Sequence, residues 1–194
     1  MSATSATLLE RLRDPRDSEA WGRLNDLYAP LIRAWSERMS IRGADADDLV
    51  QNVLTVVVRR YSEFVHPERP GAFRGWLRAI AANCAREAWR SRRLSPQAPG
   101  GTDFASYLSR LEDPADALSR EWDREHDVHV ARRLLERIKN DFEPRTWELF
   151  RRFVLEGSPA DEVAAACATT ANAVYIAKSR VLARLRVEAG GLLG

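Results

Sequence analysis

The stretch that most constrains this chain is residues 45–64: Asp45-Ala46-Asp47-Asp48-Leu49-Val50-Gln51-Asn52-Val53-Leu54-Thr55-Val56-Val57-Val58-Arg59-Arg60-Tyr61-Ser62-Glu63-Phe64. At helical period, Leu49, Val50, Val53, Leu54, Val57, Val58, Tyr61 and Phe64 form a wide apolar stripe. Asp48, Gln51, Asn52, Thr55 and Arg59 fall on the other face. Asp45, Asp47 and Asp48 sit in the opening turn, where carboxylates oppose the helix dipole. An ordinary amphipathic helix accounts for the stripe. It does not account for a polar face so poor in lysine, which suits a protein partner better than bulk solvent.

A second helix is predicted from Phe73 to Arg93. Its core stripe is Phe73, Trp76, Leu77, Ile80, Ala81, Cys84 and Ala88. At about 100° per residue, Asn83, Arg86, Arg90 and Arg93 fall opposite that stripe, and Trp89 also points away from it. Arg74, Arg78, Arg86, Arg90, Arg92 and Arg93 stand against the single acid Glu87. A row of that kind repels itself unless phosphates neutralise it, so contact with DNA is favoured over plain solvation. The intervening residues 65–72 hold Pro67, Pro70 and Gly71 and cannot be helical.

The motifs D-A-D-D-L-V-Q and F-R-G-W-L-R-x-I-A-x-N, followed by an arginine cluster, resemble the extracytoplasmic-function (group IV) sigma factors of bacterial RNA polymerase, in the sigma-70 family. The pair is specific; either half alone is weak. The resemblance implies an all-α chain of two small helical domains joined by a flexible linker. Residues 1–94 would be the region 2 domain, 95–119 the linker and 120–194 the region 4 domain. It implies core polymerase as partner, through the clamp coiled coil of the largest subunit and the flap, with Asp45, Asp48, Gln51, Asn52, Thr55 and Arg59 on the clamp. Promoter DNA would meet Arg74, Arg78, Asn83, Arg86, Trp89, Arg90 and Arg93, and the 65–72 loop would hold a flipped base of the minus-ten element. An anti-sigma factor or a regulatory kinase is a further candidate partner.

The remaining segments fit a helical chain. Leu8, Leu9 and Leu12 make a short pattern that ends at Pro15. Asp17 or Ser18 can cap a helix carrying Trp21, Leu24, Leu27, Tyr28, Leu31, Ile32, Trp35 and Met39, which Pro30 should kink or divide. Arg42-Gly43 then links tightly to the Asp45 helix. Residues 95–103 are rich in proline and glycine, and Phe104, Tyr107, Leu108 and Leu111 could make one helical turn or two. This connector leans acidic (Asp103, Glu112, Asp113, Asp116). Such acids could mimic nucleic acid, although a solvated spacer explains them more simply. Trp122, Val128, Ala131, Leu134, Leu135, Ile138 and Phe142 mark one amphipathic helix. Pro144 opens the next, which ends at Gly157.

Residues 158–186 read as a helix-turn-helix. Ser158 is placed as the cap and Pro159 in the first turn of a short helix to Cys167. Ala168-Thr169-Thr170 form the turn, and Ala171 to Arg186 a longer basic helix. Val163, Ala164, Cys167, Val174, Ala177, Val181 and Leu185 would pack the pair. The segment is similar to sigma region 4, including V-x-x-x-K-S-R and R-L-R, with two departures. Ala168 stands where a turn glycine is usual, and Lys178 where an aliphatic is usual. Thr170, Asn172, Tyr175, Ile176 and Ser179 are the outward candidates for the minus-thirty-five element, with Arg180 and Arg184 on phosphate. Asn172 serves equally well as a capping or solvated residue.

Other chemistries lack their residues. Cys84 and Cys167 lie far apart on apolar faces and read as free thiols, and His66, His126 and His129 have no ligand-like partners. No catalytic motif, phosphate loop, metal set or cofactor site is present, so the chain reads as a binding protein and not an enzyme. No apolar run spans a membrane and the first residues do not form a signal peptide, which points to the cytoplasm. Two other classes compete. A stand-alone helix-turn-helix regulator explains residues 145–194 but gives the Asp45 helix no purpose. A helical signalling adaptor, such as a kinase-linked partner, explains neither basic helix.

Overall fold

The computed structural model describes residues 7–64, 71–93 and 101–193. Every regular element in them is helical, as the sequence patterns require. The α-helices are α1 (Leu8–Arg11), α2 (Ser18–Arg38), α3 (Ala44–Arg60), α4 (Ala72–Arg93), α5 (Gly101–Glu112), α6 (Ala117–Ile138), α7 (Pro144–Phe150), α8 (Ala160–Ala166) and α9 (Ala171–Ala189). The chain divides into two compact units, Met1–Val130 with Gly191–Gly194, and Ala131–Gly190. The second unit thus starts inside α6, eleven residues after the position 120 expected from the sequence.

In the first unit, Asp17 caps α2 by accepting a hydrogen bond from the Ala20 N–H at 2.9 Å. The Arg11 guanidinium beside Asp17 holds its carboxyl down to about 2. Helix α2 is not divided at Pro30. The proline is exposed, so water can bond the carbonyl it leaves without a donor. Gly43 then turns the chain into α3 at φ 61°, ψ −138°, a conformation open to glycine and few others.

Helix α3 packs against both α2 and α4. Its buried row is Ala46, Leu49, Val53 and Val57, continued by Tyr61. Val50 and Leu54 are half-buried, and Val58 is 51% exposed. The stripe is therefore narrower than its composition suggests. A neighbour fills only the i, i+3, i+4 row, and Val58 stands about 100° round from Val57. At the end of α3, Tyr61, Phe64, Phe73 and Trp76 form one aromatic cluster with centroids 4.8–6.3 Å apart.

Helix α4 buries Phe73, Leu77, Ile80, Ala81, Ala82, Cys84 and Ala85. Desolvation pushes the Cys84 thiol up to about 11. Beside it, residues 101–112 form a whole helix where the sequence suggests one turn or two within a spacer. Leu108 and Leu111 are fully buried, and Phe104 stacks on Trp89 at 5.5 Å. Two leucines with a hydrophobic wall to meet outweigh the glycines that precede them.

The first half of α6 belongs to the same unit. Trp122 is 5% exposed, edge-on to Trp35 and stacked on His126 at 5.6 Å. His126 is fully buried between Trp122 and Tyr28. Its Nε2 lies 3.2 Å from the Tyr28 hydroxyl and its Nδ1 3.0 Å from Asp127. Burial pushes the imidazole below its ordinary value, and the neutral ring satisfies both contacts if Nδ1–H donates and Nε2 accepts. Asp123 accepts from Arg78, and Asp127 from Arg74. The buried face of α6 thus runs through Trp122, His126 and Val130, whereas Val128, assigned to it by periodicity, is 56% exposed.

In the second unit, α7 continues into a π-helical stretch, Arg151–Leu155. Glu148 accepts from Arg151 at 2.7 Å and Arg152 at 2.5 Å, and these guanidinium groups hold its carboxyl down to about 2. The core of Leu149, Ala160, Val163, Ala164, Val174 and Ala177 joins α7, α8 and α9, with Phe153 and Cys167 packed against it. Helix α8 starts at Ala160 with Pro159 before it, so Ser158 is not its cap. Thr170 does cap α9, its hydroxyl accepting from the Ala173 N–H at 3.2 Å.

Both departures from the expected helix-turn-helix pattern are resolved locally. Ala168 takes φ 48°, the left-handed conformation a glycine would supply. Arg145 donates to the Ala168 carbonyl at 3.1 Å and stitches the turn to α7. Lys178 is half-buried, and its ammonium rises over the Phe153 ring, 5.4 Å from the centroid.

Two outcomes are expected. Ala168→Gly relieves the left-handed strain at an exposed position. Chemical denaturation should show a gain of about 0.5–1 kcal/mol, after the extra unfolded-state entropy of glycine is subtracted. Arg78→Ala removes the hydrogen-bonded partner of Asp123 and leaves it only Arg74, 3.4 Å away, so it should cost about 2 kcal/mol, whereas Arg90→Ala, at an exposed position, should stay within about 0.5 kcal/mol. Urea titrations of the two variants give the comparison directly.

Candidate nucleic-acid interface

The outer face of α3 carries Asp45, Asp48, Gln51, Asn52, Thr55 and Arg59, all exposed. The buried row from Ala46 to Val57 holds the helix by its opposite side, so these six side chains form one ridge. Asp47 is paired with Arg33 of α2, which ties the acidic first turn of α3 to its neighbour. The ridge is polar, held rigid by a dry core, and of mixed charge.

The arginine face of α4 is arranged less simply. Asn83 and Arg90 are exposed. Arg86 is half-buried and donates to Asn83 Oδ1 and to Glu112 Oε2, each at 2.6 Å. Trp89 is half-covered by Phe104 of α5. The sequence places Arg74 and Arg78 on DNA, but neither lies open to it here. Arg78 is 5% exposed, engaged with Asp123 and 6.0 Å from the Trp122 ring centre. Arg74 is engaged with Asp127, and its buried Nε, 3.4 Å from Asp123, makes no hydrogen bond. The reason is a register match: Asp123 and Asp127 stand four apart on α6, as Arg74 and Arg78 do on α4. That spacing was the available signal. The Arg93 side chain, His66 and the 65–70 part of the base-holding loop lie outside the described residues. Phe64, Phe73 and Trp76 border that loop on the described side.

On α9, the row of Asn172, Tyr175, Ile176, Ser179 and Arg180 is exposed. Tyr175 and Ile176 keep 51% and 44% of their surface in water, and Tyr175 is steadied by an edge contact to Phe153 at 5.4 Å. Two expected members have partners within their own unit. Thr170 is committed to its cap, and Arg184 binds Asp141 at 2.9 Å and Glu188 at 2.8 Å. Among the described residues, no three histidine, cysteine, aspartate or glutamate side chains cluster as a metal site. No described helix is long and apolar enough to cross a membrane.

Comparison with known proteins agrees with this geometry. Residues 24–94, which hold most of α2 and all of α3 and α4, match the Sigma-70 region 2 family. The chain is 34% identical over 113 residues to the RNA polymerase sigma factor CarQ of Myxococcus xanthus, covering 58% of this chain and 62% of that protein. It is 24% identical over 170 residues to the probable RNA polymerase sigma factor RfaY of Xanthomonas campestris pv. campestris, covering 88% of this chain and 40% of that protein. The chain therefore spans less than two thirds of either relative's length. No solved structure matches significantly. Residues 24–94 are thus similar to Sigma-70 region 2, in a chain similar in sequence to RNA polymerase sigma factors.

Proposed function

We propose that this chain is a transcription initiation factor of the extracytoplasmic-function type, which binds core RNA polymerase and directs it to chosen promoters. One observation carries the reading. Within a region 2 domain, a rigid polar ridge on α3 lies on the helix packed against an arginine-loaded α4. The ridge of Asp45, Asp48, Gln51, Asn52, Thr55 and Arg59 takes the polymerase clamp. Helix α4 meets promoter DNA at the minus-ten element, through Asn83, Arg86, Arg90 and Arg93. Exposed Tyr175 and Ile176 on α9 support a second contact, in the major groove of the minus-thirty-five element, where an aromatic or aliphatic face can pack on a thymine methyl. The chain works by binding alone, and the catalytic chemistry belongs to the polymerase.

A stand-alone regulator would bind DNA tightly without polymerase and would have no use for the α3 ridge. An adaptor would bind neither. Capture of core polymerase, followed by run-off transcription on a promoter pool, separates the three readings.

Two substitutions refine the assignment. Asp48→Arg reverses a charge on an exposed position, so circular dichroism should be unchanged while affinity for core polymerase falls about tenfold or more. Wild-type affinity in that variant would remove Asp48 from the polymerase surface. Asn172→Ala should cost about 1–3 kcal/mol at one base pair of the minus-thirty-five element and relax preference there. Selection from a randomised pool checks this, and a consensus identical to that of the wild type means that Asn172 only solvates the helix start.

A further inference from the structure

Three of the six arginines of α4 are bound by carboxylates from the segment that follows the region 2 match: Arg74 by Asp127, Arg78 by Asp123 and Arg86 by Glu112. The two acids of α6 repeat the i, i+4 spacing of the two arginines they face. An apolar anchor holds them in place, since Trp122 and His126 are sunk against Trp35 and Tyr28. His129 adds a contact from its Nε2 to the Leu27 carbonyl at 2.7 Å. Covering arginines with carboxylates is a poor way to gain stability, because desolvating both charges offsets much of their attraction. Hydrophobic residues would serve a permanent interface as well or better. The pairing is also incomplete, because the buried Nε of Arg74 donates to nothing. A phosphate, with more acceptor oxygens than a carboxylate, is the better partner for such a fork.

We infer that residues 112–127 form an intramolecular cover, in which carboxylates occupy the phosphate positions of α4 while the chain is free and promoter DNA must displace them. The inference rests on the reading of α4 as a DNA-facing helix. It returns Arg74 and Arg78 to the DNA-binding set in the opened state, and it gives Glu112 of the connector, with Asp123 and Asp127 beyond it, a task that a spacer does not need. It also weakens DNA binding by the free chain, since each phosphate contact of Arg74, Arg78 or Arg86 must first release an ion pair.

The test uses the full chain, without polymerase, and a fluorescent single-stranded oligonucleotide of arbitrary sequence. In Asp123→Asn/Asp127→Asn the arginines lose their competing anions but keep similar shapes around them. Anisotropy titrations should show at least about tenfold tighter binding. The dependence of log K on log salt should steepen by about 1.4, the value for two added phosphate contacts on a single strand. Unchanged affinity and slope in a variant with wild-type circular dichroism would overturn the cover. Hydrogen exchange on the wild-type chain decides independently, even if the double variant does not fold. Amides of residues 117–130 should exchange at least about tenfold faster when the oligonucleotide is saturating, and equal or slower exchange overturns the inference. Core-polymerase capture by the wild type, run in parallel, keeps the two claims apart. Its failure removes the proposed function, whereas intact capture with unaltered DNA binding and exchange removes the cover alone.

Discussion

The first unit depends on one constraint, the burial of α3 along the single row Ala46, Leu49, Val53 and Val57 between α2 and α4. A helix held on both flanks has one side left for water. The polar residues between those anchors are thereby fixed in direction without contacts of their own. The same packing turns α4 so that its small residues, Ala81, Ala82 and Ala85, allow close approach to its neighbours.

Much of this was legible because helical periodicity survives burial on one side. The extents of α2, α3, α4 and α9 follow from it to within a few residues, and Asp17 is one of the two caps the sequence offers for α2, whereas the cap at Thr170 was not read from the sequence. What periodicity does not report is which neighbour fills which part of a stripe. Val58 and Val128 fit the period and face water, while His126 carries a ring polarity that argues against burial and lies at 0% exposure. Its polarity is neutralised by two partners distant or adjacent in sequence, Tyr28 and Asp127, and no single-residue scale contains that pairing. Helix α5 is longer than the one turn or two its sequence suggests, for a related reason. Its stability comes from α4, so a local reading of its glycines sees only a spacer.

Charge was the least legible property of the candidate interface. Counting arginines on α4 points to a polyanion-binding helix, but counting cannot distinguish a cation facing solvent from one already neutralised. Arg90 and Arg78 are the same residue on the same helix, and their environments differ completely, from open water to a slot between Asp123 and Trp122. In the second unit, Arg184 shows the same effect, since Asp141 and Glu188 reach it from outside its own turn. The row Asn172, Tyr175, Ile176, Ser179 and Arg180 is exposed, as its outward period suggests.

The two thiols described above give the molecule an internal pair of clocks. Cys84 sits in the packed side of α4 with its ionisation suppressed, and Cys167 sits half-open at the end of α8. Because only a thiolate attacks an alkylating or disulfide reagent, modification of Cys84 must wait for the first unit to open, whereas Cys167 reacts on the timescale of local motion in the second. Cys84 therefore marks the opening of the first unit and Cys167 the local motion of the second. The two rates can be read from one unlabelled, unmutated chain by the order in which mass is added.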